Sequence, residues 1–260
     1  VILLNTLIPN HRQEIAAAVL VTDEAMRQRS LTLAYRLSLP VIERESTVVG
    51  WALEYTDSGL VLRDQHNSEL LPLRIDFTAK DLNPYGPNLS RRQPLARALG
   101  KKNKTVIDAT AGLGQDAFLM TAMGYHVVAI ERSPMLAALL FDAVERADQD
   151  PRLSKALAGR LQVVEGDARK EIPAQVPPDV VYLDPMFPPK RRKSALPKRE
   201  LVLLRKLVGE DPDADQLFAV AQEHARNRVV VKRPHHAPPL VSDPDFAQSG
   251  KLVRYDVYLT

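Results

Sequence analysis

Between residues 105 and 232 short, nearly all-apolar runs alternate with longer stretches in which apolar residues recur every three or four positions. The runs Thr105 to Ala109, His126 to Glu131, Leu161 to Glu165, Val180 to Asp184 and Val229 to Lys232 predict strands. The stretches Gln115 to Met123, Pro134 to Ala147, Ser194 to Val208 and Ala214 to Arg226 predict helices. Strands without polar alternation are covered on both faces, which predicts a parallel sheet between helical layers. The pattern changes at the end of the chain. Phe246 to Gln248, then Ser249-Gly250, then Leu252 to Leu259 predict a hairpin, so an antiparallel pair closes the mostly parallel sheet.

The first third follows a different plan, that of a small α/β domain. Ile15 to Val21 is β-like, and Asp23 caps a helical pattern through Ser38 with Leu31, Ala34, Tyr35 and Leu37 apolar, stopped by Pro40. Val48 to Tyr55 and Leu60 to Arg63 flank Thr56-Asp57-Ser58-Gly59, a hairpin signal, and Leu71 to Phe77 adds a third strand. Trp51 and Tyr55 alternate on one strand face and are expected to pack in the core. Asn83-Pro-Tyr-Gly-Pro-Asn88 breaks regular structure, placing the expected boundary between domains 1–88 and 89–260.

Composition narrows the function classes. The 260 residues suit one large α/β domain with a small appendage. Cysteine is absent, which excludes disulfides and thiolate metal sites and fits a cytoplasmic home. The apolar runs are too short to span a bilayer. Val1 to Ile8 lacks a basic n-region and a small-residue cleavage site, so no signal peptide is expected. The net charge of +3 leaves room for a local basic face. His235-His236 is too close a pair to hold a metal alone, and no Asp/Glu/His spacing supports one, so no metal is expected.

Val106-Ile-Asp-Ala-Thr-Ala-Gly-Leu-Gly114 is a strand entering a Gly-rich turn and then a helix. Gly112 and Gly114 let the backbone turn sharply and approach a ligand. Glu131 ends the next strand about twenty positions on, where a carboxylate can accept both ribose hydroxyl hydrogen bonds. A dinucleotide site would share this acid. However, Asp108 ending the first strand and Glu165-Gly-Asp167-Ala168 ending the third fit an S-adenosylmethionine site better, with Asp167 meeting the adenine amine.

Val180-Val-Tyr-Leu-Asp184-Pro185-Met-Phe187-Pro188 resembles the Asp/Asn-Pro-Pro-aromatic motif of enzymes that methylate base amino groups. The lone pair of an exocyclic amine is delocalised into its ring, so the nitrogen must be held in place. Asp184 and the Pro185 carbonyl can accept its two N–H bonds, and Phe187 can stack on an unpaired or flipped base. Lys190, Arg191, Arg192 and Lys193 follow at once and are candidates for RNA phosphates, with Lys232 and Arg233 at the end of the fifth strand joining them.

Taken in order, Asp108 to Phe118, Glu131-Arg132-x-Pro134, Tyr182 to Pro188, Lys193 to Leu196, Val229 to Pro234 and Ala237 to Leu240 resemble the bacterial 16S rRNA guanine-N2 methyltransferase family over about residues 104–260. The resemblance implies a class I methyltransferase fold, a Rossmann-like sheet. It implies S-adenosylmethionine contacts at Gln115, Asp116, Glu131, Arg132, Asp167, Ala168 and Asp184, with 16S rRNA or the small ribosomal subunit as partner. The chain departs from the family in one place: of its basic, glycine-rich run before this domain, only Arg91 and Arg92 remain. From the residues alone two alternatives stay open: a methyltransferase for another planar amine (DNA adenine or a small molecule), and a non-catalytic nucleotide-binding protein.

Overall fold

The computed structural model describes residues 17–43, 50–67, 71–78, 89–186, 207 and 211–260. The chain forms two compact units, Val1–Pro72 and Leu73–Thr260. In the first, β1 (Ala17–Val21) pairs in parallel with β2 (Val41–Glu43) and β3 (Trp51–Thr56), and β3 turns back antiparallel into β4 (Gly59–Asp64). Gly59 closes that hairpin at φ 113°, a conformation side chains resist. Helix α1 (Arg27–Leu37) follows a 3-10 turn whose N-cap, Asp23, accepts the Ala25 N–H at 2.9 Å.

Two details differ from the sequence expectation. Helix α1 buries Ser30, Leu33 and Ala34, while Leu31 and Tyr35 are exposed. Residues 30, 33, 34 and 37 form one stripe at helical spacing, and the sheet takes that stripe. Leu71 to Phe77 makes no strand beyond a single bridge at Leu73. Leu73, Ile75 and Phe77 still alternate inward, within the second unit, where Phe77 stacks on Phe118 with ring centroids 4.5 Å apart. The Ile75 carbonyl accepts from Arg146 rather than from a neighbouring strand.

The second unit holds the seven-stranded sheet. Strands β5 (Thr105–Asp108), β6 (His126–Glu131), β7 (Leu161–Glu165), β8 (Val180–Leu183) and β9 (Arg228–Pro234) are parallel. Strands β10 (Phe246–Ser249) and β11 (Val253–Leu259) are antiparallel, and the order is β10-β11-β9-β8-β5-β6-β7. The helices are α2 (Pro94–Leu99), α3 (Gln115–Ala122), α4 (Pro134–Gln149), α5 (Pro151–Leu157), α6 (Ala168–Ala174) and α7 (Ala214–His224). Helices α2, α5 and α6 have six or seven residues, too few turns for a period to show in the sequence. The helix expected over 194–208 lies, apart from Leu207, outside the described residues.

Every residue of β8 is buried, and α6 and α7 pack Ile172, Phe218 and Ala221 against Val181, Leu183, Val229 and Val231. Strand order reverses at β5: β6 and β7 extend to one side, β8 and β9 to the other. Loops leaving the carboxyl ends of β5 and β8 therefore diverge and open a crevice at the switch point. No described helix is long and apolar enough to cross a membrane.

Candidate active site

A cavity of about 400 Å³ occupies this crevice, lined from the carboxyl ends of β5, β6, β8 and β9 and the starts of α3, α6 and α7. Its floor is the Gly-rich turn. Gly112 takes φ 54° and donates its N–H to Glu131 Oε2 at 2.8 Å; the Ser133 N–H bonds Oε1 at 2.8 Å. Glu131 is 5% exposed, and burial raises its pKa, opposed by those two backbone bonds. Gly114 is absent from the lining. At φ 68° a Cβ there would stand 2.4 Å from Leu140 Cδ1, so packing beneath the turn demands this glycine, not a ligand above it.

The end of the cavity at Asp167 is a chain of ion pairs. Asp167 caps α6 and holds Arg169 through both carboxylate oxygens, which keeps its carboxyl below the ordinary range. Arg169 also reaches Asp213 at 3.2 Å, and Arg132 bridges Asp211 and Asp213. Asp211 accepts the Met186 N–H at 2.6 Å, tying the start of the loop after β8 to the start of α7. Asp211, Asp213 and Arg169 were not singled out in the sequence. The acid-rich Asp211-Pro-Asp213-Ala run before α7 was the available signal.

Asp184 and Lys232 also line the cavity. Asp184 follows β8 with its N–H donated to Thr110 Oγ1 at 2.6 Å. Lys232 Nζ bonds Asp116 Oδ2 at 2.6 Å and Asp184 Oδ2 at 3.0 Å, and the Tyr182 hydroxyl donates to Asp116 Oδ2 at 2.7 Å. Burial works against the charged form of Lys232, but the carboxylates of Asp184 and Asp116 outweigh it and raise its pKa. Asp108 sits beneath at 2% exposure, its pKa well above the carboxylate range because of burial and the nearby Asp116.

The structure thus brings Asp108, Gly112, Gln115, Asp116, Glu131, Arg132, Asp167, Ala168, Asp184 and Pro185 around one cavity. Lys232 points into the cavity between two carboxylates, and Arg233, 4% exposed, donates to the Pro238 carbonyl. Both line the cavity, and alternation along β9 gives each a different protein partner. Phe187 and Lys190 to Lys193 lie outside the described residues. His235 anchors a loop, its Nε2 2.8 Å from the Gly250 carbonyl oxygen. Among the described residues no group of three or more His, Asp or Glu could hold a metal ion.

The donor set fits S-adenosylmethionine. The cavity suits a ligand of nucleoside size, and the buried Glu131 carboxylate faces it. Carboxylates outnumber cations in the lining, which favours a sulfonium cofactor over a pyrophosphate. With Asp116 in its first turn and the Gly112 N–H already bound to Glu131, α3 offers little to an anion.

Comparison with known proteins agrees. The family described as "Putative SAM-dependent methyltransferase" matches residues 32–260. A ribosomal RNA small subunit methyltransferase J from Thioalkalivibrio sulfidiphilus is 42% identical over 246 residues, covering 92% of this chain and 95% of its own length. The protein of that name from Coxiella burnetii is 39% identical over 252 residues, covering 93% and 96%. The crystal structure of a SAM-dependent methyltransferase from Neisseria gonorrhoeae superposes with a TM-score of 0.69 at 31% identity, covering 94% of this chain and 96% of that one. On this sequence match, this fold and this site, the chain belongs to the SAM-dependent methyltransferase family of the ribosomal RNA small subunit methyltransferase J proteins, class I enzymes whose cofactor is S-adenosylmethionine.

Proposed function

We propose that this enzyme methylates the exocyclic N2 amine of a guanine in bacterial small-subunit (16S) ribosomal RNA. The observation that carries the reading is the placement of the Asp184 carboxylate, 39% exposed, in the same cavity as the ribose acceptor Glu131. Glu131 would take the ribose hydroxyls, and Asp167 and Ala168 the adenine end. When bound, S-adenosylmethionine supplies an electrophilic methyl group on a sulfonium centre. Asp184 and the Pro185 carbonyl accept the two N–H bonds of the amine and aim its weak lone pair. No proton need leave first: methylation makes the nitrogen cationic and acidic, and it sheds one proton afterwards. The sequence Lys190 to Lys193 supports guidance of the RNA strand, and Phe187 stacking on the base. Ribosomal RNA as substrate puts this work in the bacterial cytoplasm.

A tritiated-methyl assay on small-subunit rRNA tests it. Asp184→Ala should abolish incorporation, while Asp184→Asn keeps some because the amide oxygen still accepts one N–H bond. Full turnover by the Ala variant would sink the assignment.

A further inference from the structure

Strand register makes Lys232 and Asp184 neighbours. Tyr182 of β8 pairs with Val230 of β9, and side chains on one sheet face recur every second residue. Asp184 and Lys232, each two positions further on, therefore meet at the carboxyl end of the sheet.

We infer that Lys232 is the positioning residue for the methyl-accepting amine: it anchors Asp184 Oδ2 and keeps that carboxylate ionised, so that Oδ1 is offered to the base. The inference rests on the reading of Asp184 given under Proposed function and adds a role to it.

The geometry supplies the anchoring. An ammonium has three protons, and Lys232 spends two of them on Asp116 Oδ2 and Asp184 Oδ2. Asp116 is itself fixed by the hydroxyl of Tyr182, a fully buried side chain. The result is a continuous chain from Tyr182 through Asp116 and Lys232 to Asp184. The main chain of Asp184 is held separately, by Thr110 Oγ1. Among the described residues nothing bonds Asp184 Oδ1, which leaves it as the acceptor for the amine.

The electrostatics supply the second half. The titratable groups facing Asp184 are Asp108 from β5, Asp116 from α3, Tyr182 from β8, Tyr255 from β11 and Asp211 before α7, with Lys232 from β9. Burial of the Asp184 carboxyl within the cavity, with Asp116 and Asp211, raises its pKa above the ordinary carboxylate value even though the side chain is partly open to the cavity, and Lys232 is the group that limits the rise. A protonated Asp184 would carry a hydrogen where the amine needs an acceptor. The high pKa of Lys232 keeps its own charge throughout the working pH range.

The experiment is the pH dependence of kcat for the full chain on an rRNA fragment, in wild type, Lys232→Met, Lys232→Arg, and each Lys232 change on an Asp184→Asn background. Removing the cation leaves burial unopposed, so the Asp184 pKa rises and activity requires higher pH. Lys232→Met should shift the acid limb of the kcat profile to higher pH by about one unit or more, losing activity on the acid side and recovering most of it near pH 9. Lys232→Arg should restore a profile like wild type. On Asp184→Asn, which cannot titrate, Lys232→Met should add no new pH limb. A Lys232→Met profile parallel to wild type, or a limb that survives on Asp184→Asn, overturns the inference. Lys232→Gln gives the same readout should the Met variant not fold, which thermal melts will show. The two readings fail separately: a fully active Asp184→Ala removes the role of Asp184 itself, whereas an inactive one beside a parallel Lys232→Met profile removes only that of Lys232.

Discussion

Glu131→Ala is the most informative single change, because it removes two structural bonds together with the ribose contact proposed above. The carboxylate accepts the N–H groups of Gly112 and Ser133 at 2.8 Å each, one from the Gly-rich turn and one from the start of α4. Each charge-assisted bond is worth a net ~1.5–3 kcal/mol. Removing the carboxylate also relieves its desolvation, and water reaching the cavity can bond the freed N–H groups. A stability loss of about 2–3 kcal/mol is therefore expected, less than the sum of the bonds. Loss of the ribose contact should weaken S-adenosylmethionine binding by roughly ten- to a hundred-fold. Urea denaturation measures the first effect, and calorimetric titration with the cofactor the second. A cofactor analogue without ribose hydroxyls separates a distorted turn from a lost contact. Wild type should bind it weakly, and Glu131→Ala should lose little further. Glu131→Gln offers no full rescue, since its NH2 group must face one of the two N–H donors. Unchanged stability together with cofactor affinity within about twofold of wild type would refute the reasoning.

Three further outcomes are expected. Gly114→Ala should destabilise the fold by about 2–4 kcal/mol in urea denaturation, because a left-handed φ adds to a Cβ 2.4 Å from Leu140 Cδ1 and 3.3 Å from Phe77 Cζ. Asp108→Asn should stabilise the cofactor-free protein increasingly as pH rises above about 4: a folded pKa raised by burial means ionisation costs stability above the unfolded pKa, and Asn cannot ionise. Denaturation at acidic and alkaline pH checks it, and a constant difference between the two proteins would contradict it. Changing Lys190, Arg191, Arg192 and Lys193 to Ala should flatten the slope of log K against log salt for an rRNA fragment by up to about 2.8, at roughly 0.7 per single-strand phosphate. Equal filter-binding lines would make the run a solvated face.

The local pattern alone determined much of this protein. Apolar runs announced β5, β6, β7, β8 and β9 as parallel strands, and the runs with least polar alternation, β5, β8 and most of β9, are the ones buried on both faces in the middle of the sheet, whereas β7 lies at its edge with Gln162 and Glu165 exposed. The distance from Gly112 to Glu131 set one βαβ unit and located the carboxylate that lines the cavity, since a strand, a turn and a helix of ordinary length fill that interval. Asp184-Pro185 was legible because its chemistry is contiguous. Tertiary structure decided what depends on register and on approach from distant segments. Lys232 and Arg233 are adjacent and basic, yet alternation along β9 sends one to Asp184 and Asp116 and the other to the Pro238 carbonyl. Nothing local relates Asp116 to Tyr182 and Lys232, which are 66 and 116 positions away; the sheet order and the β8–β9 register bring them together. Asp211 meets Met186 and Arg132 only because the start of α7 folds back over the end of the sheet. A hydrophobic period reports which face of an element is buried; it carries no information about which charged side chain from another element will stand opposite.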